Sequence, residues 1–106
     1  MTQTQQEEVI KKIIREYFDL ENTLIFLFGS RANNSAFPFS DYDVGIYTGH
    51  RIPPATFAKI KDTLEGYSIP VDIDLVDFSR VSDEFKQLAI TRIKIWNMPR
   101  KDLKLI

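Results

Sequence analysis

Val9, Ile10, Ile13, Ile14, Tyr17 and Phe18 recur at helical spacing, with Lys11, Lys12, Arg15 and Glu16 between them. This predicts an amphipathic helix over residues 4–19. Leu24-Ile25-Phe26-Leu27-Phe28 is apolar on both faces, the pattern of a central strand. A polar stretch containing Asn33-Asn34-Ser35 follows as a loop, and Pro38 keeps the segment before Asp41 extended. A second strand is predicted over 42–48. Pro53 and Pro54 suit the first turn of a helix over 54–66, with Gly66 at its C-terminal cap. Pro70 then precedes a third strand at 71–77, and Ser79 or Ser82 caps a last helix carrying Phe85, Leu88, Ala89 and Ile93. The predicted order is helix, strand, strand, helix, strand, helix. Strands 1 and 2 are close enough along the chain to be direct neighbours, and the helix after strand 2 makes a crossover to strand 3.

The chain of 106 residues is read as a single domain, 1–106. Its 14 Lys and Arg nearly balance 15 Asp and Glu, so no basic field exists to hold a nucleic acid or an anionic membrane. The absence of cysteine excludes disulfides and thiolate metal sites and is compatible with a reducing compartment. The amino terminus lacks a basic segment followed by an apolar one, and no apolar run approaches the roughly 20 residues that span a bilayer. The expected location is cytoplasmic.

The chemistry concentrates where strand 1 runs out. The strand enters a tight turn at Gly29-Ser30, ten residues pass, and Asp41-Tyr42-Asp43 opens the second strand. Backbone N–H groups at a glycine can approach phosphate closely because no Cβ obstructs them. Asp41 and Asp43 are two apart in a strand-like run and so share a face. Two carboxylates side by side repel unless a cation lies between them, and Mg²⁺ bridging to substrate phosphates meets that need. Downstream, Val71-Asp72-Ile73-Asp74-Leu75-Val76-Asp77 supplies further acids. Periodicity alone does not choose between Asp72 and Asp74, which share a face; Asp77 falls on the apolar side and reads as the strand's end.

Gly-Ser, a ten-residue gap and Asp-x-Asp resemble the signature of the DNA polymerase beta-like nucleotidyltransferase superfamily, most closely its minimal branch, the MNT domain. The resemblance covers nearly the whole chain. It implies an α/β fold in which a small mixed sheet carries helices on one side. It implies a Mg²⁺-dependent nucleotidyltransferase with two ions, Asp41, Asp43 and Asp74 as metal ligands and catalytic acids, and ATP as the expected substrate. Gly29 and Ser30 would hold the terminal phosphates. Arg31 beside the turn pairs with phosphate or with the protein, and Ser40 belongs to the nucleotide-binding set or caps its turn. Larger relatives add a helical domain for the acceptor, so here the acceptor is expected from elsewhere. Such minimal domains are commonly encoded beside a small helical HEPN-type or substrate-binding protein. They can act as antitoxins by adenylylating a side-chain hydroxyl of that partner.

One departure from the family pattern stands out. Many relatives carry Arg-Gly where this chain has Asn33-Asn34. Asn34 tolerates the left-handed backbone that glycine would adopt, whereas Asn33 supplies no guanidinium. That loss favours an alternative, a nucleotide-binding regulatory subunit with weakened turnover. Phe37 and Phe39 are expected to pack their loop onto the domain, in preference to stacking on a base or meeting a partner. Trp96 reads either as core or as a contact surface, His50 as an exposed loop residue. Residues 99–106 have no clear period, the pattern of a tail that orders against a partner.

Overall fold

The computed structural model describes residues 1–100. It orders them as α1 (Gln3–Arg15), β1 (Leu24–Phe28), β2 (Tyr42–Tyr47), α2 (Pro54–Glu65), β3 (Ile73–Asp77), α3 (Asp83–Ala89) and β4 (Lys94–Asn97). A short 3₁₀ turn, Gly29–Arg31, follows β1. Positions 101–106, most of the tail without period, lie outside the described residues.

Local chemistry accounts for the helix ends. Thr2 and Gln5 form a capping box at α1: the Gln5 N–H donates to Thr2 Oγ1 (3.1 Å) and the Thr2 N–H to Gln5 Oε1 (2.8 Å). The helix stops at Arg15 rather than at 19. The amides of Glu16 and Tyr17 donate three residues back, to the carbonyls of Ile13 and Ile14, and tighten the last turn. Tyr17 and Phe18 still pack against the core, which explains why the apolar period ran past the helix. Pro54 opens α2 and Gly66 caps it. Of the two candidate serines, Ser82 caps α3 by accepting from the Phe85 N–H; Ser79 is engaged with Asp77 instead.

The strands form one mixed sheet in the order β3-β2-β1-β4. β1 runs antiparallel to both β2 and β4, and β2 runs parallel to β3 through the α2 crossover. β4 is absent from the sequence-based order. It is an edge strand with a register shift where it pairs with β1, and only Trp96 of its four residues is buried. α1 and α2 cover one face of the sheet, where Ile10, Ile14, Ile60 and Leu64 meet Ile25, Leu27, Val44 and Ile46. Trp96 belongs to this core. Glu7 on α1 accepts from Lys94 Nζ (2.8 Å), tying that helix to β4.

The opposite face is aromatic. Phe26, Phe28 and Phe78 pack edge to face, with centroids 4.8 Å (Phe26–Phe78) and 5.2 Å (Phe28–Phe78) apart, and Phe85 of α3 adds to them. Gly45 lies beneath these rings, which occupy the space that any Cβ there would need. The short α3 thus stands on the side of the sheet away from α1 and α2. Among the described residues, no helix is long and apolar enough to cross a membrane.

Candidate active site

β1 delivers the chain to the aromatic face at Phe28, and the turn Gly29–Arg31 breaks its direction at once. Gly29 has φ +73°, a left-handed conformation open to glycine at little cost. Space enforces the same choice: a Cβ on Gly29 would overlap Oδ2 of Asp43. Among the described residues, no side chain caps the start of this turn. Asn34 adopts φ +62°, the left-handed backbone expected of it. Asn33 folds back on its loop, its Oδ1 accepting from the Ser35 N–H at 3.1 Å.

The sheet register brings the acids together. Asp43 is opposite Phe28 on one side and opposite Asp74 on the other. Residues directly opposite in neighbouring strands project from the same face, so Asp43 and Asp74 stand side by side above the aromatic floor. Asp41 lies one step before β2, exposed, at the same end of the sheet. Burial pushes the Asp43 carboxyl above its ordinary value, and the charges of Asp74 and then Asp41 push it the same way. Among the described residues, no three acidic or imidazole side chains converge closely enough to enclose a metal ion as they stand. Asp72, exposed, is outside the β2–β3 register, although its carbonyl accepts from the Tyr42 N–H (3.0 Å).

Asp77 is a structural acid. It is buried on the face of α1 and α2, accepting from the Ile52 N–H (2.8 Å), the Ser79 N–H (3.0 Å) and Ser79 Oγ (2.6 Å). It closes β3 and pins the loop after β2.

Arg31 is committed to the protein. Its guanidinium donates to the carbonyls of Ser40 (2.7 Å) and Pro38 (3.3 Å) and to Gln3 Oε1 (3.0 Å), and lies 4.4 Å from the centre of the Tyr42 ring. Of its two sequence-based readings, pairing with protein is the one this geometry displays. Ser40 likewise closes its own turn, with Oγ accepting from the Phe37 N–H at 2.8 Å. These bonds hold the loop between Ser35 and Asp41, and they do so without burying its aromatics. Phe37 and Phe39 are 76% and 84% exposed, which overturns the expectation that they pack onto the domain. His50 is exposed, as its loop position implied.

A groove of about 610 Å³ opens beside the Gly29 turn. Phe28, Phe85, Leu88 and Ala89 form its apolar wall; Asn33, Ser35, Thr91 and Arg92 give it polar groups. Sequence reasoning did not connect Thr91 and Arg92 with the turn. No spacing signals that contact, because it arises only when α3 folds back over the sheet. A second groove, of about 640 Å³, runs from Asp41, Asp72 and Asp74 past Lys61 and Tyr67 at the outer edge of β3.

Solved structures share this fold. A chain of a toxin–antitoxin crystal structure with AMP-PNP matches at 26% identity and a TM-score of 0.69, over 85% of this chain and 71% of that one. Two further likenesses are of fold. One is the tri-AMPylated Shewanella oneidensis HEPN toxin in complex with MNT antitoxin, at 24% identity, TM-score 0.66 and coverage of 90% and 71%. The other is the toxin–antitoxin MntA-HepT, at 24%, 0.62, and 89% and 71%. No curated protein matches the chain. The family model described as Polymerase beta, Nucleotidyltransferase matches residues 8–98, which takes in the turn, the acidic strands and β4. By its sequence and its fold together, the chain belongs to the polymerase beta nucleotidyltransferase family.

Proposed function

We propose that the protein transfers AMP from ATP to a hydroxyl of a helical HEPN-type partner, as the antitoxin of a two-component system. The observation that carries this reading is the register pairing of Asp43 with Asp74, against a glycine turn that leaves no room for a Cβ. The neighbours, described as toxin–antitoxin structures, one with AMP-PNP, support the nucleotide and the partner.

The residues fit Mg²⁺ by their chemistry. They are hard carboxylate oxygens, and Asp43 carries the unrelieved repulsion of its neighbours, which a divalent cation would offset. Asp41, Asp43 and Asp74 are the ligands we assign. Bound there, Mg²⁺ would neutralise charge on the phosphoryl oxygens and orient the attacking and leaving groups. The turn at Gly29 and Ser30 holds the β and γ phosphates. The acceptor oxygen forms a bond to the α-phosphorus as the α–β bridging bond breaks. Pyrophosphate leaves, and the hydroxyl proton passes to the Asp74 carboxylate. Arg31 and Ser40 act one step removed, by bracing the loop that delivers Asp41.

The test is to mix the protein with the product of its neighbouring gene, ATP and Mg²⁺ and weigh both chains intact. The expected result is a complex and a gain of about 329 Da per AMP on the partner, a figure fixed by the nucleotide's formula. A complex with no mass gain would instead support the second reading, a regulatory subunit. Asn33 favours that alternative, since its side chain is folded into its own loop.

A further inference from the structure

Resting on the nucleotide reading above, we propose that Arg92 is the phosphate-binding cation of this site, supplied from the turn between α3 and β4 rather than from the loop after Gly29. A triphosphate placed at the Gly29 turn lies beside Asp41, Asp43 and Asp74, so it needs positive charge from the protein as well as from metal. Arg31, the nearest arginine in sequence, has four of its five N–H donors bound to Ser40, Pro38 and Gln3. Asn33 offers only an amide, and its oxygen is turned toward Ser35.

Arg92 is the one cationic side chain among the residues that line the groove containing Gly29 and Asn33. It is exposed, and among the described residues it makes no hydrogen bond, ion pair or ring contact. The backbone that carries it is nonetheless held. Thr91 Oγ1 donates to the carbonyls of Leu88 (2.9 Å) and Gln87 (3.2 Å), which fixes the turn at the end of α3. Phe85 anchors that helix to the aromatic floor through Phe28 and Phe78. A guanidinium on a fixed turn, open to a groove that contains the phosphate turn, suits bidentate recognition of phosphate oxygens.

The test is calorimetric binding of ATP, AMP and inorganic tripolyphosphate, each with Mg²⁺, to the full chain and to its variants. Arg92→Ala should weaken ATP and tripolyphosphate by at least about tenfold while changing AMP less than about twofold. Arg92→Lys should recover part of the loss, and Arg80→Ala, an exposed arginine outside the groove, should change nothing. Because Arg92 has no partner to lose among the described residues, the melting temperature of Arg92→Ala should match the parent. Unchanged tripolyphosphate binding by Arg92→Ala overturns the inference. So does an equal loss of AMP and ATP, which would put Arg92 on the nucleoside. A parent chain that binds neither ATP nor tripolyphosphate overturns the nucleotide reading itself, and this inference with it.

Discussion

Replacing Gly29 by alanine tests the contact on which the site is built. Two costs add. The first is backbone: at φ +73° an alanine pays for the left-handed conformation, about 1–2 kcal/mol. The second is steric. The new methyl would overlap Asp43 Oδ2 and lie 3.3 Å from its Cγ and 3.5 Å from its Cβ, so the carboxylate must swing away or the turn must shift. Forced packing of this kind costs about 1–3 kcal/mol. The sum, about 2–5 kcal/mol, should lower Tm by roughly 10 °C or more in a domain of this size. Gly49→Ala separates the two terms. Gly49 has φ +83° in an exposed turn, so its substitution carries the backbone cost away from the site. A third variant, Asp43→Ala, removes the obstructing carboxylate. In that background Gly29→Ala should fall to the cost of Gly49→Ala, and the difference is the coupling energy between the two positions. Urea unfolding of the four variants measures each quantity. A Gly29→Ala penalty that equals the Gly49→Ala penalty, or that persists undiminished without Asp43, would show that the Asp43 carboxylate does not exclude a Cβ at position 29.

Other expectations concern the charges. Asp43 has its folded-state pKa raised, so its ionisation opposes folding; that cost is absent below the unfolded value and grows as pH rises through it. Asp43→Asn should therefore raise Tm by roughly 2–5 °C at pH 7 with chelator present and by less at pH 4; equal shifts at both pH values would count against it. In a transfer assay Asp74→Ala should cost at least about 10²-fold and Asp72→Ala much less, since only Asp74 is in register with Asp43; the reverse ranking would move the site by two residues. Asp77→Ala leaves the amides of Ile52 and Ser79 without their acceptor and should cost about 2–4 kcal/mol in urea unfolding. A variant that stays stable yet loses Mg²⁺-dependent nucleotide binding would place Asp77 at the metals after all. Burial raises the Glu7 pKa, but Lys94 and Gln3 outweigh it and hold the carboxyl below its ordinary value. Its stabilisation is present above the unfolded value and is lost as pH falls through the folded one, so Glu7→Gln should cost about 1 kcal/mol at pH 7 and progressively less as the pH falls below the ordinary carboxylate range.

How much was legible follows from where each signal resides. Residues 24–28 read as a central strand because burial on both faces leaves a continuous apolar run. The prolines before α2 and Gly66 after it bounded that helix through fixed backbone preferences. Asp77 could be set apart from Asp74 by parity alone. β4 was missed because an edge strand with one buried residue imposes almost no pattern on Ile93-Lys94-Ile95-Trp96-Asn97. α3 was found from its serine cap and its apolar positions, yet the fold leaves Leu88 77% exposed. The bracing by Arg31 was equally hidden, since two of its acceptors are backbone carbonyls that any sequence would present and the third, Gln3, is remote along the chain. The order of Asp43 beside Asp74 needed the strand register, which no local pattern encodes.

The parallel pairing of β2 with β3 also bears on how the chain folds. Asp43 and Asp74 are separated by the whole of α2 and both its connections, and a parallel pair cannot be closed by a local turn. Hairpin pairing of β1 with β2 can come early, whereas the acidic pair exists only after this longer loop has closed. A ligand that bridges those acids therefore adds its free energy to the late, non-local step, and does nothing for the hairpin. Nucleotide and metal would hold the nascent chain in its finished topology at the joint that chain entropy most opposes.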